Sequence, residues 1–248
     1  MCKKSAVNKG IFLLFVLQSA TFRVKILFEK ALFQIFDLRR TLSVKNAIIL
    51  GDSYSTYKGY LPEGFRTHYP TADVDDVDKT WWARLGKQAD VKWIQNNSWS
   101  GSPLGFTGYN GDDCSRFGSF IARYRDLKNN GFFEQNKIDT VFVFGGTNDS
   151  WANAPVGEIK LSDWEEKDLF SVLPAICCLT GTLKADLPDA DIILIINSGI
   201  KPEIQDCFEA AAKHFGVKSV RLHDIDKVSA HPTAKGMAAI CEQVAAVL

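Results

Sequence analysis

Four short polar clusters in the chain could do chemistry. Ser53 stands in Gly51-Asp52-Ser53-Tyr54-Ser55, directly after the apolar run Asn46-Ala47-Ile48-Ile49-Leu50. Gly101 closes Asn97-Ser98-Trp99-Ser100-Gly101, Asn148 lies in Gly145-Gly146-Thr147-Asn148-Asp149, and His231 precedes Pro232. A serine hydroxyl within reach of an imidazole is a nucleophile with its general base. A glycine N–H and a carboxamide are donors for a developing oxyanion. Together they are the equipment of acyl transfer. Taken alone, each cluster is weak, because Gly, Asp and Ser are also turn residues and a lone Gly-x-Ser has little specificity.

The elements between the clusters give them a common place. From residue 46 onward, short apolar runs alternate with helical periodicity, the signature of βαβ units and a parallel sheet. Strands are expected at 46–50, 91–94, 140–144, 191–196 and 217–222. Thr80 is the expected N-cap of a helix through Trp81, Trp82 and Leu85. Further helices are expected over 114–129, with Phe117, Phe120, Ile121 and Tyr124 on one stripe, over 163–184, from Pro202 to about Phe215, and after His231. Ser53, Gly101, Asn148 and His231 each follow the carboxyl end of a strand, so a right-handed parallel sheet brings all four to one edge. The expected architecture is a three-layer α/β/α domain over residues 45–248, with a five-stranded, mostly parallel sheet.

On these four blocks the chain resembles the SGNH (GDSL-type) hydrolase superfamily, which implies a flavodoxin-like fold and a serine esterase or acylhydrolase activity. The resemblance casts Ser53 as nucleophile and His231 as base. The oxyanion donors it implies are the N–H groups of Ser53 and Gly101 and the amide of Asn148. One position departs from the family pattern. Three residues before the histidine, where the family has an aspartate, this chain has Val228. The imidazole Nδ1–H still needs an acceptor to hold its tautomer. Asp226, brought round by an irregular loop, is the expected acid; a backbone carbonyl and Asp224 are the alternatives.

Composition excludes several other classes. The chain has 29 basic and 29 acidic residues. Nine of the basic ones and only Glu29 and Asp37 among the acidic ones fall in residues 1–45, so the remainder is acidic. A domain of that charge lacks the clustered Lys and Arg of a nucleic-acid groove. The six cysteines include adjacent Cys177 and Cys178 and form no CxxC pair, which argues against a disulfide framework and a zinc site. No metal and no organic cofactor is expected. Buried thiols lean toward a cytoplasmic compartment. Residues 1–44 lean elsewhere, as a basic and apolar extension. Lys3, Lys4 and Lys9 before the run Ile11 to Leu17 resemble a secretory signal. The mixed stretch 22–40 could instead contact an anionic membrane surface, or could be upstream sequence read from an early start.

The substrate is less legible. Tyr54, Trp99 and Trp151 lie in or beside the blocks and are candidate substrate-binding aromatics, whereas Trp81, Trp82 and Trp93 are expected in the core. A carbohydrate O-acetyl ester is the first expectation and a short-chain lipid ester or thioester the second. A third possibility is a carbohydrate-binding relative that has lost catalysis along with its acid. Asp224-Ile225-Asp226-Lys227-Val228 after a strand resembles the start of a haloacid dehalogenase-type phosphatase, but only 20 residues follow, too few for that domain. A nucleotide-binding module would need a glycine-rich phosphate loop, and none follows any strand. The sequence gives no oligomeric state.

Overall fold

A computed structural model describes residues 44–248 of the chain. The N-terminal extension, with its leader-like and membrane-surface readings, lies outside the described residues. Five parallel strands form one sheet: β1 (Lys45–Gly51), β2 (Val91–Ser98), β3 (Thr140–Gly145), β4 (Asp191–Ile196) and β5 (Lys218–Arg221), in the order β2-β1-β3-β4-β5. The α-helices are α1 (Trp81–Gln88), α2 (Phe120–Asn129), α3 (Phe132–Gln135), α4 (Thr147–Trp151), α5 (Val172–Asp186), α6 (Pro202–Phe215) and α7 (Ala234–Ala245). A two-residue ribbon, β6 (Lys227–Val228) with β7 (His231–Pro232), precedes α7.

Strand residues alternate between the two faces of the sheet. Ile48, Leu50, Val141, Val143, Ile192 and Leu194 pack in one core with residues of α2, α5 and α6. Ala47, Ile49, Phe142, Phe144, Ile193 and Ile195 pack in the other with residues of α1 and α7. Both faces are covered, which is why these strands read as continuous apolar runs. Three layers result.

Register places the functional edge. Gly51 at the end of β1 pairs with Ser98 at the end of β2 and with Phe144 near the end of β3, and Gly145 pairs with Ile196 at the end of β4. The loops that follow all leave from one edge. Gly51 is required there by close approach, since a Cβ would fall inside contact distance of Ser98 Oγ and Ser55 Cβ.

Two helices differ from their expected bounds. The periodicity over 114–129 predicted one helix, yet α2 begins at Phe120, with Ser119 as N-cap accepting from the Ala122 N–H at 3.1 Å. Gly118 at φ +91° breaks the chain direction just before that cap. Phe117 therefore leaves the core stripe and is 63% exposed. The expected helix over 163–184 is a 3-10 turn at Glu166–Phe170 followed by α5 from Val172. A capping box between Glu165 and Asp168 closes the turn, and Pro174 sits in the first turn of α5, where its missing N–H costs nothing. The weak second strand runs four residues further than expected, to Ser98.

Candidate active site

Ser53 opens a single 3-10 turn, Ser53–Ser55, at the end of β1. Asp52 caps that turn by accepting the Tyr54 N–H at 3.0 Å. Being first in the turn, the Ser53 N–H has no partner inside it, and among the described residues it has no acceptor. Ser53 Oγ lies 2.9 Å from His231 Nε2. His231 Nδ1 lies 3.2 Å from the carbonyl oxygen of Ser229. A carbonyl can only accept, so Nδ1 carries the proton and Nε2 is left to accept from the Ser53 hydroxyl. Burial and the nearby Lys227 ammonium push the His231 pKa down, while the Ser229 carbonyl pulls it up. The net is a shift below the ordinary value of 6.5.

The expected acid is not at the imidazole. Asp226 accepts from the Thr233 hydroxyl, the N-cap of α7, and is exposed. Asp224 pairs with the neighbouring His223 at 3.0 Å. The reason is the β6–β7 ribbon. Val228 pairs directly across from His231, with Ser229 (φ 48°) and Ala230 (φ 66°) as the two turn residues. Positive φ at both central positions is the type I′ pattern. So tight a turn directs the Ser229 carbonyl at Nδ1, while Asp226, two residues before Val228, is held by the Thr233 hydroxyl. Val228 itself is 68% exposed.

The other two blocks converge on the same edge. Gly101 has φ +86° in the turn after β2, and among the described residues its N–H has no acceptor. Asn148 lies in α4, directly after β3. Its Nδ2 donates to the Ser102 carbonyl at 2.9 Å, and its Oδ1 accepts from Tyr109 Oη at 2.9 Å. These two contacts fix which way the amide faces, and one Nδ2 hydrogen is left to donate.

The aromatics separate into different roles. Tyr54 is buried, and its hydroxyl donates to the Ala230 carbonyl in the turn before His231. Trp99 is also buried, stacked on Phe65 at 4.5 Å between centroids and edge-on to the exposed Phe117 at 4.4 Å. Trp151 is 39% exposed, with its ring edge-on to His231 at 5.9 Å. Trp81 and Trp82 are core, and Trp93 packs against them half-buried.

Several residues at the site went unread in the sequence. Arg123 of α2 is buried, and its guanidinium donates to the carbonyls of Gly51 (3.1 Å) and Asn97 and to Ser102 Oγ (3.0 Å). Burial lowers its pKa to about 9. It ties the end of β1 to the end of β2 and to the loop under Asn148. Asp149, also buried, accepts the N–H groups of Leu104 (2.8 Å) and Gly105 (3.1 Å) and sets that loop. A signal for Arg123 existed, since it stands on the buried stripe Phe120, Tyr124, Leu127 of its helix, where a charge needs a reason. His68, in the long loop after the Ser53 turn, stacks on His231 at 3.6 Å between centroids and 12° between planes. A lone histidine in a loop of that length carries no such signal.

Comparison with known proteins accords with this geometry. A family model described as GDSL-like Lipase/Acylhydrolase matches residues 45–248. A protein designated a GDSL-like lipase from Bacteroides uniformis ATCC 8492 is 40% identical at a TM-score of 0.75, over 82% of this chain and 94% of its own. A second such protein, from Bacteroides ovatus ATCC 8483, is 38% identical at a TM-score of 0.75, over 82% of this chain and 96% of its own. A family two carbohydrate esterase from Clostridium thermocellum, solved in complex with cellohexaose, shares the fold at 16% identity and a TM-score of 0.54, over 82% of this chain and 62% of its own. No curated protein matches the chain. The matched model takes in every described strand and helix and all four blocks, and the chain belongs to the GDSL-like lipase/acylhydrolase family.

Proposed function

We propose that the chain is a serine esterase that works through an acyl-Ser53 intermediate and acts on short acyl esters of carbohydrate hydroxyls. The 2.9 Å approach of Ser53 Oγ to His231 Nε2 carries the catalytic assignment. His231 takes the Ser53 proton as Oγ attacks the ester carbonyl, then returns it to the leaving alcohol. The Ser229 carbonyl holds the Nδ1–H, so the tautomer is fixed without a carboxylate. The N–H groups of Ser53 and Gly101 and the free Nδ2 hydrogen of Asn148 receive the oxyanion, each worth about 10²–10³ in rate. Water then attacks the acyl-enzyme, with His231 again the base. These steps need no group beyond the protein's own residues and water.

The carbohydrate assignment is supported by the exposed ring of Trp151 beside His231, which offers a face for a sugar, and by the fold shared with an esterase solved with cellohexaose. Hydrolysis of p-nitrophenyl acetate and butyrate by the full chain, beside Ser53→Ala, tests the chemistry. Acetate cleavage should exceed butyrate cleavage, and the variant should lose at least about 10³-fold in kcat, in line with removal of a nucleophile from a hydrolytic site. Acetate release from acetylated xylo- and cello-oligosaccharides tests the substrate. Equal activity of wild type and variant would sink the catalytic reading and leave a carbohydrate-binding protein, which calorimetry with cellohexaose would then reveal. A preference for longer acyl chains would favour the lipid-ester alternative.

A further inference from the structure

A serine–histidine pair without a carboxylate leaves one thing unsupplied. Hydrogen bonds at Nδ1 and Nε2 place the two nitrogens of His231, but they restrain the tilt of the ring about the line between them only weakly. His68 fills that gap. Its ring lies flat on His231, with centroids 3.6 Å apart and planes 12° apart. Its own position is built from both sides of the site. The His68 N–H donates to Thr56 Oγ1 at 2.9 Å, and that hydroxyl donates to the Ser53 carbonyl at 2.9 Å. The next residue, Tyr69, is buried and donates its hydroxyl to the Pro232 carbonyl at 2.8 Å. The His68–Tyr69 pair thus straps the nucleophile's turn to the histidine's strand.

We propose that His68 is a positioning residue for His231: its ring clamps the imidazole plane and shields it from water, doing in this chain part of what an orienting carboxylate does elsewhere. The role rests on the esterase reading given above, and its consequences for His231 can be measured apart from turnover. The remaining groups about the imidazole are few. Tyr54 (5.4 Å between centroids, tilted at 57°) and Trp151 (5.9 Å, edge-on) close it in, Lys227 lies on the Tyr54 side, and Asp73, Asp226 and Lys235 line the groove of about 510 Å³ that opens beside His68 and His231. His68 itself stays neutral through the working range, because burial and the adjacent His231 lower its pKa to about 4. What it offers is a neutral π face, so a phenyl ring can take its place where a methyl cannot.

The test uses the full chain as wild type, His68→Ala and His68→Phe, with two readouts. The first is the nitrophenyl acetate rate. Ala should lower kcat about tenfold with KM within twofold, and Phe should recover kcat to within about threefold of wild type. The second is the titration of the His231 ring followed by NMR, which needs no turnover. Removing the shield lets water reach the imidazole, so its pKa should rise toward 6.5 in the Ala variant and fall back in the Phe variant. An Ala variant with unchanged kcat and an unmoved His231 titration would overturn the proposal. So would a folded Phe variant as slow as Ala, which would assign the role to the imidazole nitrogens of His68 instead of its ring. A wild type no faster than Ser53→Ala would overturn the esterase reading alone, and the NMR shift would still decide for or against the clamp.

Discussion

At the scale of single residues, the site is a case of one group doing another's work. A carbonyl from Ser229 stands where a carboxylate is usual, and Val228 in the carboxylate's place points to solvent. The consequence is that neither nearby aspartate should matter to turnover. Asp226→Asn and Asp224→Asn are each expected to keep kcat/KM within about threefold of wild type, where loss of an orienting carboxylate costs about 10⁴. Asp226→Asn should instead cost a little stability, because it weakens the bond from the hydroxyl of Thr233, the residue that caps α7, by about 0.5–1 kcal/mol. Steady-state kinetics beside thermal melts separate the two effects. The four block residues were legible because each stands directly after a strand or in a short motif, where type and position together imply a role. The acceptor for Nδ1 was not, because backbone carbonyls have no letter in a sequence. His68 and Arg123 were missed for a related reason: their contacts are made across 163 and 72 positions of chain, to His231 and to Gly51.

At the scale of elements, the β6–β7 ribbon decides which group meets the Nδ1–H of His231. Its turn holds two side-chain-bearing residues at positive φ, a conformation that costs about 1–2 kcal/mol per residue outside glycine. Both turn carbonyls are used, Ser229 for the His231 Nδ1–H and Ala230 for the Tyr54 hydroxyl. Replacing Ser229-Ala230 by Asn-Gly, the pair best suited to this turn, should keep both carbonyls in place while relieving the backbone. The expected result is a stabilisation of about 1 kcal/mol, seen as a rise of about 2–4 °C in Tm, with kcat unchanged. Loss of activity in that variant would mean the Ser229 side chain has a part of its own. The strands were readable as elements because they are buried on both faces. The boundaries of the helices were not, since Gly118 and the Glu165–Asp168 capping box act through φ angles and hydrogen bonds that apolar periodicity does not register.

At the scale of the molecule, the parallel sheet gathers loops at one edge, and buried charge beneath that edge holds them together. Asp52, Arg123 and Asp149 are all inaccessible to water. Burial raises Asp52 from 3.8 to about 7, against the Tyr54 N–H and Arg123, which favour the carboxylate. A carboxyl whose pKa is higher in the folded chain than in the unfolded one stabilises the fold fully below pH 3.8, and that stabilisation is lost as the pH rises toward 7. Asp52→Asn keeps an acceptor for the Tyr54 N–H and removes the titration. Its Tm relative to wild type should therefore climb between pH 4 and pH 8, by several degrees, when the two are melted side by side. A difference independent of pH would mean that Asp52 is ionised throughout and fully paired in the fold. The three-layer arrangement was legible from the alternation of runs along the chain, whereas this buried charge was not, because it depends on which loops the sheet brings together. The most direct test of the whole account is to mix the full chain with p-nitrophenyl acetate, quench with acid within the first turnovers and map the product by mass spectrometry. A single acetyl group on the peptide containing Ser53, absent from Ser53→Ala, is the predicted result. An acetyl group on another residue, or hydrolysis that persists undiminished in Ser53→Ala, would contradict it.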